Sequence, residues 1–201
     1  TKGRGKTRER ILQGAAQVLA EKGPRGTTVQ DMLEASAVSR RTFYQYFPNS
    51  ESVLDALYGQ FTHTMIDRMD QAITRADDPL EKIHNTVDTY LAHQREQGAL
   101  AIYLQAEANR PDSLLRKRRE ETLDALVGLL DRVMASFGLE VDPFVYRVLL
   151  IGIEGLVLHT QKSGDFSPSD LARVRGVMVA MIVSVLQAPM SRLPPAGKPA
   201  N

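Results

Sequence analysis

The stretch that decides the fold is residues 27–47, TTVQDMLEASAVSRRTFYQYF, which contains two short helix patterns in succession. Thr28 is followed three residues later by Asp31, an arrangement typical of the capping box that begins a helix. Ser39 is placed to cap the start of a second short helix, which we expect to end near Gln45. Two short helices separated by a tight turn indicate a helix-turn-helix.

The second of these helices carries the side chains that a DNA-reading helix needs on its outer face. Phe43 and Phe47 lie four residues apart and can pack inward together. Long polar side chains occupy the remaining arc, namely Arg40, Arg41, Thr42, Tyr44 and Gln45. Arginine can pair with guanine and glutamine with adenine, while hydroxyl groups suit phosphates. A merely solvated amphipathic helix is the alternative, which the turn spacing, the aromatic cluster and the local positive charge disfavour.

Positive charge is concentrated at the start of the chain, although the whole protein is close to neutral. The 201 residues carry 25 Lys and Arg against 24 Asp and Glu, a formal net charge of +1. Residues 1–49 hold nine basic and four acidic side chains, so this stretch is +5 and the remaining 152 residues are −4. This asymmetry is typical of a nucleic-acid-binding domain joined to a second domain.

Apolar residues recur at helical spacing along nearly the whole chain, and no stretch alternates at period two, so the predicted fold class is all-α. A first helix is expected over about 7–22, and a long fourth helix from Asn49 or Ser50 to about Arg75. Later helices are expected at about 80–97, 99–109, 112–137, 142–163 and 168–187. We predict a loose arm over residues 1–6 within a helix-turn-helix domain over 1–49, a connecting helix over 50–75, a helical bundle over 76–188 and a disordered Pro-rich tail over 189–201.

Several classes of protein are disfavoured by what the sequence lacks. The chain has no Cys, which excludes disulfides, a thiolate nucleophile and Cys-ligated zinc. No metalloprotease, P-loop or Gly-rich nucleotide pattern occurs, so we expect no enzyme activity, cofactor or metal, with an all-helical enzyme as the disfavoured alternative. The most apolar run, Val177 to Leu186, is shorter than the roughly 20 residues that span a bilayer, and no signal sequence is visible. We therefore expect a cytoplasmic protein with no membrane partner.

The residues quoted above, with ILQGAAQVLAEKG over 11–23 and ESVL over 51–54, resemble the DNA-binding domain of the tetracycline-repressor (TetR/AcrR) family. The resemblance covers about residues 7–58. It implies a transcriptional repressor that binds a palindromic double-stranded DNA operator as a homodimer and is released by a small-molecule effector. A ligand-independent or architectural DNA-binding protein is the alternative that the motif leaves open.

The resemblance also implies which residues contact DNA. Thr28 matches a position that touches a phosphate through its hydroxyl and backbone N–H. The full predicted set is Thr28, Ser39, Arg40, Arg41, Thr42, Tyr44, Gln45 and Tyr46. Two positions depart from the family pattern. Ala37 stands where the family usually has Gly, at a position that favours positive φ, and Ser50 stands where Lys is common.

For the second half of the chain, the resemblance implies a helical bundle that binds the effector and forms the dimer. The predicted pocket residues are Tyr90, His93, Tyr103, Gln105, Glu107, Met134 and Phe137. The predicted interface residues are Leu149, Gly152, Leu156, His159, Val174, Met178, Met181 and Val185, with packing inside one protomer as the alternative. Glu154 lies in an apolar run and needs a partner, for which His159 and Arg147 are candidates. The basic run over 116–119 is expected to be solvated.

Overall fold

The computed structural model describes residues 2–162 and 167–187, which form nine α-helices and no strand. The helices are α1 (Lys2–Gly26), α2 (Val29–Ser36), α3 (Arg40–Tyr46), α4 (Ser50–Thr74), α5 (Pro79–Gln97), α6 (Ala99–Ala108), α7 (Arg116–Ser136), α8 (Pro143–Lys162) and α9 (Pro168–Gln187). The all-α prediction is confirmed. The expected tail over 189–201 lies outside the described residues.

Two helix starts differ from the sequence prediction. α1 begins at Lys2, so most of the arm expected to be loose is helical, in keeping with the high helix propensity of its Lys and Arg residues. α7 begins at Arg116, about four residues later than expected, because residues 111–115 form turns. The Ser113 hydroxyl oxygen accepts the Leu115 N–H at 3.1 Å, a local hydrogen bond that competes with helix formation.

Helix α4 is shared by two hydrophobic cores. Its first half contributes Leu57 and Phe61 to a core with α1, α2 and α3. Its second half contributes Met65 and Met69 to a core with α5, α7, α8 and α9. With 25 residues, α4 is about 37 Å long. The predicted linking role of this helix therefore has a clear structural basis.

Most of the apolar residues of helix α6 pack in the first core, with α1, although α6 lies between α5 and α7 in the sequence. Leu100, Ala101 and Leu104 are buried there beside residues of α1. The ring of Tyr103 lies 3.3 Å from the position that a Cβ on Gly23 would occupy. The expected boundary at residue 76 therefore does not separate the two cores, because α6 closes the first one.

The turn of the helix-turn-helix contains a left-handed residue that is not glycine. Ala37 has φ 50 and ψ 44, as its match to a family glycine predicted. Its N–H donates to the Glu34 carbonyl, and the Val38 N–H donates to the Leu33 carbonyl. The left-handed region is unfavourable for a residue with a Cβ, so this turn carries local strain.

Replacing Ala37 with glycine is expected to stabilise the protein by about 1 kcal/mol, because glycine adopts the left-handed conformation without steric cost. The free energy of unfolding, measured with urea at fixed protein concentration, tests this. Ala125→Gly is the matched control, since Ala125 is exposed in the middle of α7 and should lose about 1 kcal/mol there. Equal destabilisation by both substitutions would contradict the strain at Ala37.

Candidate DNA interface and effector cavity

Helix α3 presents its polar residues to solvent and buries its phenylalanines. Phe43 is fully buried and Phe47 nearly so, as predicted. Arg40, Arg41, Tyr44 and Gln45 are exposed, as are Thr28 and Ser39, while Thr42 and Tyr46 are half-buried. The Tyr44 ring packs edge-on against Phe43 at 5.5 Å, which fixes its direction. The structure thus brings the predicted DNA-contacting residues onto the helix-turn-helix surface.

Two hydrogen-bonded caps orient this surface. The Ser39 hydroxyl oxygen accepts the Thr42 N–H at 3.1 Å, which starts α3. The Thr28 N–H and hydroxyl both donate to one carboxylate oxygen of Asp31, at 2.8 and 2.7 Å. Lys22, at 2.5 Å, and Thr28 together hold the pKa of the Asp31 carboxyl well below its usual value. Both donors expected to meet a phosphate are therefore engaged by Asp31 in this structure.

The second core encloses a cavity of about 90 Å³. Its walls come from α4, α5, α7, α8 and α9, with one residue from α6. Most of the surface is apolar and is formed by residues such as Met65, Met69, Leu126, Leu149, Ile153 and Met178. An apolar pocket with a few polar groups is the usual form of a small-molecule site.

An ion pair forms the charged part of the cavity wall. Arg119 donates from Nη2 to Glu154 Oε2 at 2.6 Å, and the two side chains are only 13% and 16% exposed. Asn109 donates to the other oxygen of Glu154 at 3.1 Å. Burial, and then the nearby Glu154 carboxylate, raise the pKa of Tyr58 and Tyr90, so both hydroxyls stay protonated. This part of the wall can form hydrogen bonds without a net charge.

Sequence reasoning missed Arg119 as the partner of Glu154 and offered Arg147 as a candidate, which pairs elsewhere. The basic run over 116–119 was expected to be solvated, yet Arg119 lines the cavity. Arg147 instead pairs with Glu120 and Asp124 on the surface. The available signal was spacing: Arg119 precedes Leu123, Leu126 and Leu130 on the same apolar face of α7, at intervals of three or four residues.

Two of the seven predicted pocket residues lie on the cavity wall, namely Tyr90 and Gln105. Tyr103 is not among the lining residues, because its ring packs against Gly23 at the end of α1. Glu107 pairs with an arginine three residues later in the chain. Both lie on α6, and only Gln105 of that helix reaches the cavity, because most of its apolar residues belong to the first core.

The other three predicted pocket residues are also outside this cavity wall. His93 is buried behind the Phe61 ring and donates from Nε2 to the Phe61 carbonyl at 3.1 Å. Burial lowers the pKa of His93 most, and the positive charge of Arg68 lowers it further, so the ring is neutral. Met134 belongs to a separate small core, and the ring of Phe137 lies under the Lys82 ammonium group.

The structure removes three residues from the predicted dimer interface. Leu149, Val174 and Met178 are buried in the core of the protomer itself, and Leu149 and Met178 line the cavity. The remaining predicted residues are at least partly exposed, namely Gly152, Leu156, His159, Met181 and Val185. Helical spacing showed that these faces are apolar, but it did not show which of them the protomer covers.

An exposed apolar face runs along α8 and continues onto α9. It includes Phe144, Val148, Ile151 and Val177, which are 69%, 54%, 45% and 41% exposed. By length and composition, residues 143–161 of α8 could cross a membrane, although such a signal from one helix is weak. Only 22% of this window is buried within the protomer, and the rest of this apolar helix is partly or fully exposed.

Two adjacent arginines at the start of α7 connect different helices. Arg118 forms a bidentate ion pair with Asp55 of α4, with Nε–Oδ1 and Nη2–Oδ2 distances of 2.5 and 2.6 Å. Arg119 pairs with Glu154 of α8 in the cavity wall. One turn of α7 therefore contacts both the cavity and the helix that follows the helix-turn-helix.

Over residues 2–162 and 167–187, no group of three or more His, Asp or Glu could hold a metal ion.

Two family models match consecutive parts of the chain. The model described as "Bacterial regulatory proteins, tetR family" matches residues 11–57, and "YsiA-like protein, C-terminal region" matches residues 59–160. The fatty acid metabolism regulator protein of Bacillus subtilis is 26% identical over 126 residues, which are 63% of this chain and 65% of that relative. The first curated match thus spans slightly less than two thirds of the relative's length. The repressor KstR2 of Mycolicibacterium smegmatis is 27% identical over 151 residues, 71% of this chain and 73% of that protein.

Solved structures share the fold over most of the chain. FadR from Bacillus subtilis, in complex with stearoyl-CoA, superposes with a TM-score of 0.74 at 24% identity and covers 88% of this chain and 98% of that chain. Thermus thermophilus FadR, a TetR-family repressor in complex with lauroyl-CoA, gives a TM-score of 0.65 at 21% identity, and the match covers 95% of this chain and 99% of that chain. At these identities, the likeness establishes the fold.

Proposed function

Because the chain belongs to the tetR family of bacterial regulatory proteins, we propose that it represses transcription as a homodimer and leaves its operator when a ligand with a long apolar tail occupies the cavity. The observation that carries this proposal is the shared helix α4. Its first half supports the helix-turn-helix and its second half forms part of the cavity wall. Ligand binding and DNA binding therefore act on the same rigid element.

The polar residues of the helix-turn-helix surface fall into two groups according to the part of DNA that they are suited to contact. Arg40, Arg41 and Gln45 have the donors that read base edges in the major groove. Hydroxyl groups of Thr28, Ser39, Thr42, Tyr44 and Tyr46 are suited to phosphates. Arg40 also donates to Gln30 of α2 at 3.2 Å, which limits the directions that its side chain can take. Arg41 is therefore the better test of base recognition.

Arg41→Ala is expected to change the preferred bases at particular operator positions, whereas Tyr44→Phe should weaken binding about evenly across sequences. Selection and sequencing of bound fragments from a random DNA pool, at near-physiological salt, measures both effects. The wild-type protein should enrich a palindrome, because a two-fold dimer places two recognition helices on related half-sites.

Arg132→Ala is the control for loss of a positive charge, since Arg132 is 69% exposed on α7, outside the helix-turn-helix. This variant should keep the wild-type palindrome. If Arg41→Ala also kept it unchanged, Arg41 would contact phosphate rather than bases. Failure of the wild-type protein to enrich any sequence would favour an architectural DNA-binding protein.

The apolar wall supports a ligand with a long tail, and two relatives of the same fold are complexes with stearoyl-CoA and lauroyl-CoA. The cavity volume of about 90 Å³ is well below the roughly 300–1,000 Å³ of typical ligand pockets. A long tail must therefore push the surrounding helices apart. Because α4 is one of those helices and Arg118 ties α7 to it through Asp55, this expansion would displace the helix-turn-helix.

Acyl-CoA thioesters of increasing chain length should release the protein from its operator at decreasing concentrations. Each added methylene that becomes buried contributes about 0.8 kcal/mol, a roughly fourfold change in affinity, until the cavity is full. Fluorescence anisotropy of labelled operator DNA measures the release. Ile153→Trp, which fills the cavity, should bind DNA but no longer respond, while Ala135→Trp on the exposed face of α7 should respond normally. Release that ignores chain length would contradict the proposed ligand class.

The exposed apolar face of α8 and α9 supports a two-fold dimer through these helices. Val148→Glu should produce monomers, because a charge at the centre of an apolar interface loses its hydration without gaining a partner. Sedimentation analysis measures the mass. Leu114→Glu is the control, since Leu114 is 66% exposed but lies in the connection before α7. Monomers from both variants, or dimers from both, would exclude this face as the interface.

A further inference from the structure

We propose that the Arg119–Glu154 ion pair makes the cavity select ligands whose polar head, meaning the group bonded directly to the apolar tail, carries no charge. Glu154 then rejects free carboxylates, and Arg119 rejects amines. This inference rests on the proposed function, because it concerns the head of the same tailed effector. It assigns a specificity-determining role to two residues that line the cavity.

The charges facing the cavity cancel within the protein. Arg119 and Glu154 are the only charged side chains among the described residues that line it. The Arg119 guanidinium already pairs with the Glu154 carboxylate at 2.6 Å, and Asn109 occupies the second carboxylate oxygen. Neither charge is therefore left for a ligand of opposite sign, and the low exposure of both side chains limits screening by water.

The same wall retains unused capacity for hydrogen bonds. Within the part of the chain that the structure describes, Arg119 Nε has no partner, although it is a buried donor. Gln105 Oε1 is a buried acceptor that likewise has no partner, and Gln105 is only 5% exposed. A neutral carbonyl group, as in a thioester, ester or amide, can accept from Nε–H, and an amide can also donate to Gln105. Such a head would satisfy groups that are costly to leave unpaired.

A charged head would meet the opposite situation. A carboxylate placed beside Arg119 also lies beside Glu154, and repulsion between like charges is strong where the surrounding wall is mostly apolar. An ammonium group beside Glu154 meets Arg119 in the same way. Removing one charge of the pair should therefore let the cavity bind a ligand that carries the same charge. Glu154→Gln should allow carboxylates to bind, and Arg119→Gln should allow amines to bind.

The test uses three ligands with the same ten-carbon tail: decanoate, decanamide and decylamine. Isothermal titration calorimetry on the full-length protein measures each affinity. Wild-type protein should bind decanamide at least about tenfold more tightly than either ion. Glu154→Gln should bind decanoate at least about tenfold more tightly than wild type, and Arg119→Gln should do the same for decylamine, while decanamide changes less than about threefold.

Asp124→Asn is the matched control, because Asp124 is an exposed carboxylate of α7 that pairs with Arg147 outside the cavity. It should behave as wild type with all three ligands. The two cavity variants test the same proposal from opposite sides, so one of them suffices if the other fails to fold by circular dichroism.

The outcomes separate this inference from the proposed function. If wild type binds decanoate as tightly as decanamide, the charge selectivity is wrong, whereas the tailed-effector proposal stands. Unchanged ion affinities in both folded variants would also overturn the inference, because the ligand head would not meet this pair. If wild type binds none of the three ligands, the proposed effector class itself is wrong.

Discussion

Helix α4 belongs to two hydrophobic cores at once, and this arrangement joins the helix-turn-helix to the cavity wall. Leu57 and Phe61 pack with the helices that carry the helix-turn-helix, and Met65 and Met69 pack with the helices around the cavity. Protein interiors are close-packed, so a shift at one place in a core is passed on to the neighbouring side chains rather than absorbed locally. The position of α3 is therefore set partly by how the far half of α4 is packed.

The start of α7 adds a second connection with a different physical character. Arg118 and Arg119 are consecutive residues of one helix, so a ligand that displaces Arg119 also moves the ion pair between Arg118 and Asp55. The Arg118 and Asp55 side chains are 41% and 42% exposed, and such pairs add little stability. The importance of this pair is geometric: it fixes α7 to the first turns of α4.

Local signals predicted the helix-turn-helix well, because capping and turn chemistry act over only a few residues. Ser39 caps α3 as predicted, and Thr28 forms the predicted capping box with Asp31. The positive φ of Ala37 was likewise readable from a single position. What these signals missed is the state of Thr28, whose two donors are already bound to Asp31. A phosphate at the predicted Thr28 contact would have to compete with that carboxylate.

The amino-acid sequence alone was sufficient for the all-helical class and for the caps and turn of the helix-turn-helix, since helical periodicity and caps are written in neighbouring residues. Packing settled the rest. Periodicity shows that a face is apolar but not what covers it, so Leu149 and Val174 proved to be core residues rather than interface residues. Likewise, the charge of Arg119 suggested a solvated surface, and only the approach of Glu154 from α8 made it part of the cavity wall.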